Sequence, residues 1–535
     1  MRREFLAWTL LSLLNFSPIL TAQQTAPGSS LTIPVEPGEK WWGGAIQDVF
    51  RMPFEPGYQL NLLGDTRGNQ AQPLLVSSHG RYLWSEKPFS FKVYADSLVL
   101  VHKSGQNADF KTGKAGITLR DAFLYAGKTF FPASGKMPGE LMFSCPQYNT
   151  WIELVYNQNQ QDVIKYARGI IANDLPPGVI MIDDNWQEDY GKWKFHRGRF
   201  PDPEGMIDSL HLMGFRVMVW VCPFISPDCD TYRMLRDGGF LIRDKSTGEP
   251  AMIRWWNGFS ALLDLTNPGA MDWMKKQLSF LVDSLGIDGF KFDAGDAEYY
   301  TGNTECFKNI SPNGHSELWG QLGLGFPLNE FRAMWKMGGQ PLAERLRDKS
   351  HNWEDLQTLV PNLIVQGLVG YAFTCPDLIG GGEFTSFIND ARIDQDLIVR
   401  SAQCHALMPI MQFSVAPWRV LDAEHMKAIH KAVSTREEFL QNILSLVRTA
   451  ATTGEPVVLS IEYVFPGNGY EQVKDQFMLG DSVLVAPMLN PGTGERTVVI
   501  PPGKWMGDDG EKFKGPATVT VTVPINRLPY FRREK

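Results

Sequence analysis

The stretch Leu285-Gly-Ile-Asp-Gly-Phe-Lys-Phe-Asp-Ala-Gly-Asp296 decides how this chain is read. Gly289 to Phe292 is a short apolar run between turn residues, which predicts a fully buried strand. Asp293 then stands at the C-terminal end of that strand, with Gly295 turning the chain close behind it. A carboxylate held there has lost much of its water, and at the top of an α/β barrel such positions carry catalysis. Lys291, between Phe290 and Phe292, points to the opposite face from both. Inside a barrel it requires an anionic partner, and Asp293 is the candidate.

Working outward, the same grammar repeats. Gly178-Val-Ile-Met-Ile-Asp183 is a second buried strand, ending in Asp183-Asp184. Asp202-Pro203 opens a helix whose apolar face runs Met206, Leu210 and Met213 before Gly214 stops it. Phe215 to Val221 is the next strand, and Asn267-Pro268 opens a helix that buries Met271, Met274, Leu278, Leu281 and Leu285. Trp151 to Tyr156 reads as a strand, followed by a helix from Gln161 to Ile171. Repeated β-then-α units predict a parallel sheet with right-handed crossovers. Their extent, 146–455, suits an eight-stranded TIM barrel better than an open sheet. Residues 300–328, rich in Gly and Asn, read as a long loop over the barrel mouth.

On either side the texture is β. Within 23–145 the runs Leu98-Val-Leu-Val-His102, Ile117-Thr-Leu-Arg120 and Gly139-Glu-Leu-Met-Phe143 predict a β-sandwich. Within 456–535, Asp475 to Pro487, Thr497 to Ile500 and Thr518 to Val523 predict a second. The fold class is therefore a (β/α)8 barrel flanked by N-terminal and C-terminal β-sandwich domains, consistent with 535 residues being too many for one core.

Composition excludes several functions. A net charge of −8 argues against nucleic-acid and acidic-membrane partners. The six Cys form no CxxC pair and the nine His no metal-ligand cluster, so no metal and no cofactor are implied. Cys222 and Cys229 are near enough in sequence to pair, and the spacing leaves this open. Residues 1–22 have the basic start and apolar run of a signal peptide, interrupted by Asn15 and Pro18. An exported protein is expected, periplasmic or secreted in a bacterium and in the secretory-pathway lumen in a eukaryote, with no membrane span after cleavage.

Polar groups collect at the strand ends. Asp183 and Asp184 end one strand and Asp293 another. Arg254-Trp-Trp-Asn-Gly258 precedes a further strand, Arg332 and Asp348 follow later, and Cys375-Pro-Asp377 follows Tyr371-Ala-Phe-Thr374. Several carboxylates, an Arg and a Trp on one barrel face suit glycoside chemistry. One carboxylate traps an oxocarbenium-like carbon and one carboxylic acid protonates the leaving oxygen. The remaining Asp and Arg groups grip hydroxyls, and a Trp covers the apolar face of the sugar. One of Trp255 and Trp256 is expected in the core, and His405 is expected to be structural.

In this order, Met181-Ile-Asp-Asp184, Arg254-Trp-Trp-Asn-Gly258, Phe290-Lys-Phe-Asp-Ala-Gly295, Pro376-Asp377, Met411-Gln-Phe-Ser414 and Pro417-Trp-Arg419 resemble glycoside hydrolase family 31. The resemblance covers about 40–535 and is nearest the myogenesis-regulating glycosidase branch, whose characterised member is an α-galactosidase. It implies Asp293 as nucleophile and Asp348, in Arg345-Leu-Arg-Asp-Lys-Ser350, as a protonated acid/base with a raised pKa. Asp296 and Asp355 are the alternatives for the acid, since the family's usual Trp-x-Gly-Asp is absent. Asp183, Asp184, Trp256, Lys291, Arg332 and Asp377 are the implied substrate-binding residues. Gln412 and Ser414 stand where many family α-glucosidases carry an Arg-x-His pair for glucose, which favours an axial-4-hydroxyl sugar. The resemblance thus implies a retaining exo-α-glycosidase for carbohydrate substrates, most consistent with α-galactosides. The alternatives are an α-glucosidase, an α-xylosidase or a catalytically silent sugar-binding relative.

Overall fold

Short buried strands, most of them followed by a helix, close into a ring. In the computed structural model, which describes residues 30–46, 49–102, 109–388, 393–492 and 494–534, eight parallel strands run side by side. They are β1 (Gln147–Asn149), β2 (Val179–Ile182), β3 (Arg216–Val221), β4 (Gly289–Phe292), β5 (Leu328–Phe331), β6 (Glu344–Arg345), β7 (Thr374–Cys375) and β8 (Gln412–Phe413). β8 returns beside β1. Between β7 and β8 the ring is nearly closed by Ile410 N donating to Thr374 O (3.2 Å) and Ile379 N donating to Gln412 O (2.8 Å). The expected signal segment lies outside the described residues.

The helices start where side-chain acceptors satisfy their free amides. Asn159, Asp202 and Asn267 accept from the first turns of Gln160–Ala172, Pro203–Leu212 and Pro268–Leu285. In the last of these Met274, Leu278 and Leu281 are buried, while Met271 and Leu285 are only half-buried.

Four segments differ from their expected structure. Trp151 to Tyr156 is not a strand. Asn149 Oδ1 accepts from Trp151 N at 2.7 Å and turns the chain at once into the helical turn Trp151–Leu154, so β1 lies just before it. Ile117 to Arg120 spans the start of helix Leu119–Phe130, because Thr118 and Asp121 form a reciprocal capping box. Gly139 to Phe143 runs into the helical turn Leu141–Ser144. The supposed loop 300–328 contains helix Pro312–Gly323, whose Ser311-Pro312 start is the N-cap and first-turn signal the Gly content obscured.

Flanking the barrel, the strands Ser30–Pro34, Ser97–Val101, Ser90–Val93 and Gln59–Asn61 form one antiparallel sheet. Trp41–Ala45, Gln70–Ser77, Arg81–Trp84 and Lys111–Lys114 form a second. The chain leaving β5 pairs with this second sheet, Met334 with Gln70 and Trp335 with Ala71, in parallel. The C-terminal residues build a six-stranded sheet from Val458–Leu459 to Tyr530–Glu534. Cys222 and Cys229 remain thiols. His405 is buried without a side-chain partner, and burial holds its imidazole near 3, which fits a neutral structural role.

Candidate active site

Parallel strands ending on one side of a ring bring their following residues to one mouth. Asp183 follows β2, Asp293 follows β4, Arg332 follows β5 and Asp348 lies three residues past Arg345 of β6. All four line one cavity of about 620 Å³, together with Asp184, Trp256, Lys291 and Asp296. That volume is in the range of small-ligand sites.

Asp293 is the most tightly held. Its Oδ1 accepts from Arg332 Nε and from Ala294 N, both at 2.8 Å, and its Oδ2 accepts from Trp220 Nε1 at 3.0 Å. Burial alone would raise this carboxyl. The charges of Arg332, Lys291 and Arg345, helped by the Trp220 donor, hold it far below the usual range. Asp293 is therefore an anion with its charge concentrated at the cavity floor. Arg332 in turn grips Asp296 through both terminal nitrogens, at 2.8 and 2.6 Å, and its guanidinium lies over the Trp256 ring at 5.6 Å. Both Asp296 oxygens are committed to that fork, which removes it as an alternative acid.

Lys291 does point into the barrel, but its partner is Asp183 rather than Asp293. The ammonium donates to Asp183 Oδ2 at 2.6 Å, which Asn149 Nδ2 also reaches at 2.7 Å. Asp183 follows β2, two strands away from β4, and the inward-pointing ammonium crosses the barrel interior to reach it. Asp184 is fastened differently: Asn257 Nδ2 donates to it at 2.6 Å and the Tyr190 hydroxyl at 3.2 Å. Burial first, and the Asp183 charge second, push Asp184 up to about 7.

That displacement has a consequence for stability. An unfolded Asp titrates near pH 4, so the folded protein binds an extra proton here between about pH 4 and about pH 7. The contribution is full below pH 4 and is lost as pH rises through about 7. Asp184→Asn stays neutral throughout. Its stability relative to the parent is expected to be higher at pH 8 than at pH 5, by roughly 2 kcal/mol. Thermal melts of both proteins at the two pH values measure this, and an identical offset at both would refute it.

The loop carrying Asp348 is pinned amide by amide. Leu346 N donates to Cys375 O at 2.9 Å. Lys349 N donates to Asp377 Oδ2 at 2.7 Å and Ser350 N to Asp355 Oδ2 at 2.6 Å. Asp348 itself accepts from Arg345 NH1 at 2.7 Å, and its side chain is 42% exposed. Asp348 is thus the more exposed of the two carboxylates, since the Asp293 side chain is 12% exposed.

Asp377, expected to bind substrate, instead sits wholly buried behind the cavity wall. Its oxygens take Arg345 and the amides of Lys349 and Gly382, and burial pushes it up to about 7 despite Arg345. Asp355 likewise serves the loop and lies away from the cavity. Gly382 leaves room for both carboxylates, since a Cβ there would lie 2.9 Å from Asp348 Oδ1 and from Asp377 Oδ1.

Gln412 and Ser414 do not face the cavity. Gln412 Nε2 donates to Glu330 Oε2 at 2.9 Å inside the barrel, and Ser414 Oγ accepts from Ile152 N at 2.8 Å. That side of the mouth is closed by Trp151, Tyr156 and Phe384, whose rings meet edge to face at 5.3 to 6.2 Å. Of the tryptophan pair, Trp255 is core and Trp256 is 46% exposed at the cavity. Five residues beside these positions, Arg67, Val155, Asn185, Ala294 and Asp377, hold positive φ without being Gly. Such strain gathers where packing over-determines a functional backbone.

Sequence reasoning missed Trp220, Tyr190 and Arg345 as site residues, and Asp65, Arg67 and Glu298 at the rim. Asn257 and Arg345 stood inside the motifs already quoted, and only their contacts reveal what they do. Among the described residues no group of three or more His, Cys, Asp or Glu is placed to hold a metal ion. No described helix is long and apolar enough to cross a membrane.

Comparison with known proteins agrees with this geometry. The family model for the glycosyl hydrolases family 31 TIM-barrel domain matches residues 137–335, and that for the family's C-terminal domain matches 454–535. The mouse (Mus musculus) myogenesis-regulating glycosidase is 31% identical over 420 residues, covering 76% of this chain and 58% of that protein. Alpha-glucosidase 2 of Bacillus thermoamyloliquefaciens is 26% identical over 414 residues, 70% of this chain and 51% of its own length. The chain thus spans little more than half of these relatives. Among solved structures, a Flavobacterium johnsoniae GH31 dextranase complexed with glucose gives a TM-score of 0.84 at 18% identity, over 94% of this chain and 66% of that one. A soil-metagenome GH31 α-xylosidase complexed with xylose gives 0.80 at 20% identity, over 94% and 79%.

Proposed function

This chain belongs to glycoside hydrolase family 31, and from that membership and the cavity above we propose that it is a retaining, exo-acting α-glycosidase. The observation that carries the reading is one buried carboxylate kept ionised by Arg332 and Lys291, sharing its cavity with a second, more exposed carboxyl, Asp348.

Asp293 attacks the anomeric carbon, forming a C–O bond as the bond to the leaving oxygen breaks. Asp348 gives its proton to that oxygen, then takes one from the water that cleaves the glycosyl-enzyme ester. Oδ1 of Asp293 already accepts two hydrogen bonds and Oδ2 one, so Oδ2 keeps the freer lone pair for the attack. Trp256, packed against the Arg332 guanidinium, supplies an apolar face for the ring, and Asp183 with Lys291 offers an acceptor and a donor to its hydroxyls.

For the sugar we propose galactose. The support is likeness to the myogenesis-regulating glycosidase branch, since Gln412 and Ser414 lie behind the cavity and carry no weight. Relatives named alpha-glucosidase and alpha-xylosidase keep those sugars as the alternatives. A buried polar site rejects the wrong 4-epimer because each group left unpaired costs about 1–3 kcal/mol. Two such groups correspond to roughly a hundredfold. The expected result is a higher kcat/KM on nitrophenyl α-galactoside than on the α-glucoside and α-xyloside under one set of conditions. Preference for either of the others would end the galactoside assignment and leave the mechanism standing.

A further inference from the structure

Three consecutive residues of the second N-terminal sheet's loop and first strand position reach into the barrel site. Gly68 O accepts from Arg332 NH1 at 2.8 Å. Asn69 Oδ1 accepts from Arg347 N at 2.8 Å, and Asn69 O accepts from Met334 N at 3.3 Å. Gln70 Nε2 donates to the carbonyls of both Arg332 and Arg345. Gln70 Oε1 is itself held by Gln366 Nε2 at 2.9 Å. Asn69 and Gln70 are only 2% and 0% exposed, so these bonds are shielded from competing water. Gly68 has φ +68°, and a Cβ there would come within 3.1 Å of Arg332 NH1. A larger residue would disturb the arginine that steadies Asp293.

The bonded amides of Leu346, Lys349 and Ser350 around Asp348 find their acceptors within the barrel, and that of Arg347 does not. Leu346 uses Cys375, Lys349 uses Asp377 and Ser350 uses Asp355, whereas Arg347, adjacent to Asp348, uses Asn69. We infer that Asn69 is a positioning residue for Asp348, and that the Gly68-Asn69-Gln70 strip completes the barrel's catalytic site from outside it. The inference rests on the glycosidase reading for its kinetic consequence, and on the structure alone for its backbone consequence. If the Arg347 amide loses its acceptor, the loop is free to carry Asp348 away from the leaving oxygen. Asp293 keeps its own partners, so the nucleophile is untouched.

The test uses the full chain with Asn69→Ala and Asn69→Asp, the second of which keeps an acceptor. For Asn69→Ala, kcat/KM on a phenyl α-glycoside is expected to fall about tenfold, the scale of one lost hydrogen bond. On a dinitrophenyl α-glycoside, which leaves without an acid, it is expected to change less than about threefold. Asn69→Asp is expected to restore the phenyl substrate. Hydrogen exchange in the peptide spanning 346–350 is expected to quicken by about tenfold in Asn69→Ala and not in Asn69→Asp. Equal losses on both substrates, or unchanged exchange, would overturn the inference. If the parent chain cleaves no aryl α-glycoside, the glycosidase reading has failed and the exchange measurement alone decides the positioning role. Should Asn69→Ala not fold, Asn69→Ser carries the same comparison, because its hydroxyl is too short to reach the Arg347 amide.

Discussion

Asp293→Asn is expected to abolish nearly all turnover, by roughly three or more decades in kcat, as removal of a covalent nucleophile does. The substitution conserves volume, so the cavity keeps its shape. What changes is charge and lone pairs. An amide offers one acceptor where the carboxylate offers two, yet Arg332 Nε, Ala294 N and Trp220 Nε1 all donate here. Whichever way the amide turns, its NH2 meets a donor. The loss is therefore chemical and local, and Arg332 remains fastened to Asp296 and Gly68. Steady-state rates on an activated aryl α-glycoside, with a melting curve to show that the variant is folded, measure this. Hydrolysis at the parent rate by a pure preparation would remove Asp293 from the nucleophile role.

Asp348→Ala is expected to divide substrates by leaving group. With a poor leaving group the missing acid costs roughly two to four decades, the range general acid catalysis contributes. With dinitrophenolate the first half-reaction proceeds almost unaided, and hydrolysis of the intermediate becomes the slow step. Azide, which needs no base, is then expected to restore turnover and to yield an azido-sugar of retained configuration. The structure adds a reason for care in choosing the control. Arg345 bridges Asp348 and Asp377 and also pairs with Glu330 inside the barrel at 3.4 Å. Removing Asp348 leaves Arg345 with Asp377 and Glu330, so the fold keeps its buried ion-pair network. Removing Asp377 would instead release the amides of Lys349 and Gly382 and displace the whole loop. Uniform losses across leaving groups in Asp348→Ala would move the acid role elsewhere, and neither Asp296 nor Asp355 is free to take it.

Much of this molecule is legible in one dimension, for physical reasons. A strand that is buried on both faces is apolar except where a charge finds a buried partner, as Lys291 does, and a parallel strand must be followed by a crossover. Val179–Ile182, Arg216–Val221 and Gly289–Phe292 therefore announce themselves, as do the helices begun by Asp202-Pro203 and Asn267-Pro268. The carboxylates that follow such strands can only arrive at one mouth, so Asp183, Asp184 and Asp293 were readable as site residues before any contact was known. Two-residue strands such as Glu344–Arg345 and Thr374–Cys375 carry no periodicity at all and were not.

Which partner each charge takes was decided only in three dimensions. Side chains that point into a barrel meet those of alternate strands, so Lys291 of β4 reaches across the interior to Asp183, at the end of β2, and not forward to Asp293. Asp377, after the adjacent strand β7, and Asp355, in the first turn of the following helix, spend their oxygens on backbone amides of the Asp348 loop, which turns two apparent binding or acid candidates into supports. Gln412 and Ser414 follow the motif's spacing, but Ile152 and Glu330 claim them before any sugar can. Asn69 and Gln70 are separated from Arg347 and Arg345 by more than 270 residues. No local pattern can report a hydrogen bond that exists only because a sheet and a barrel pack against each other.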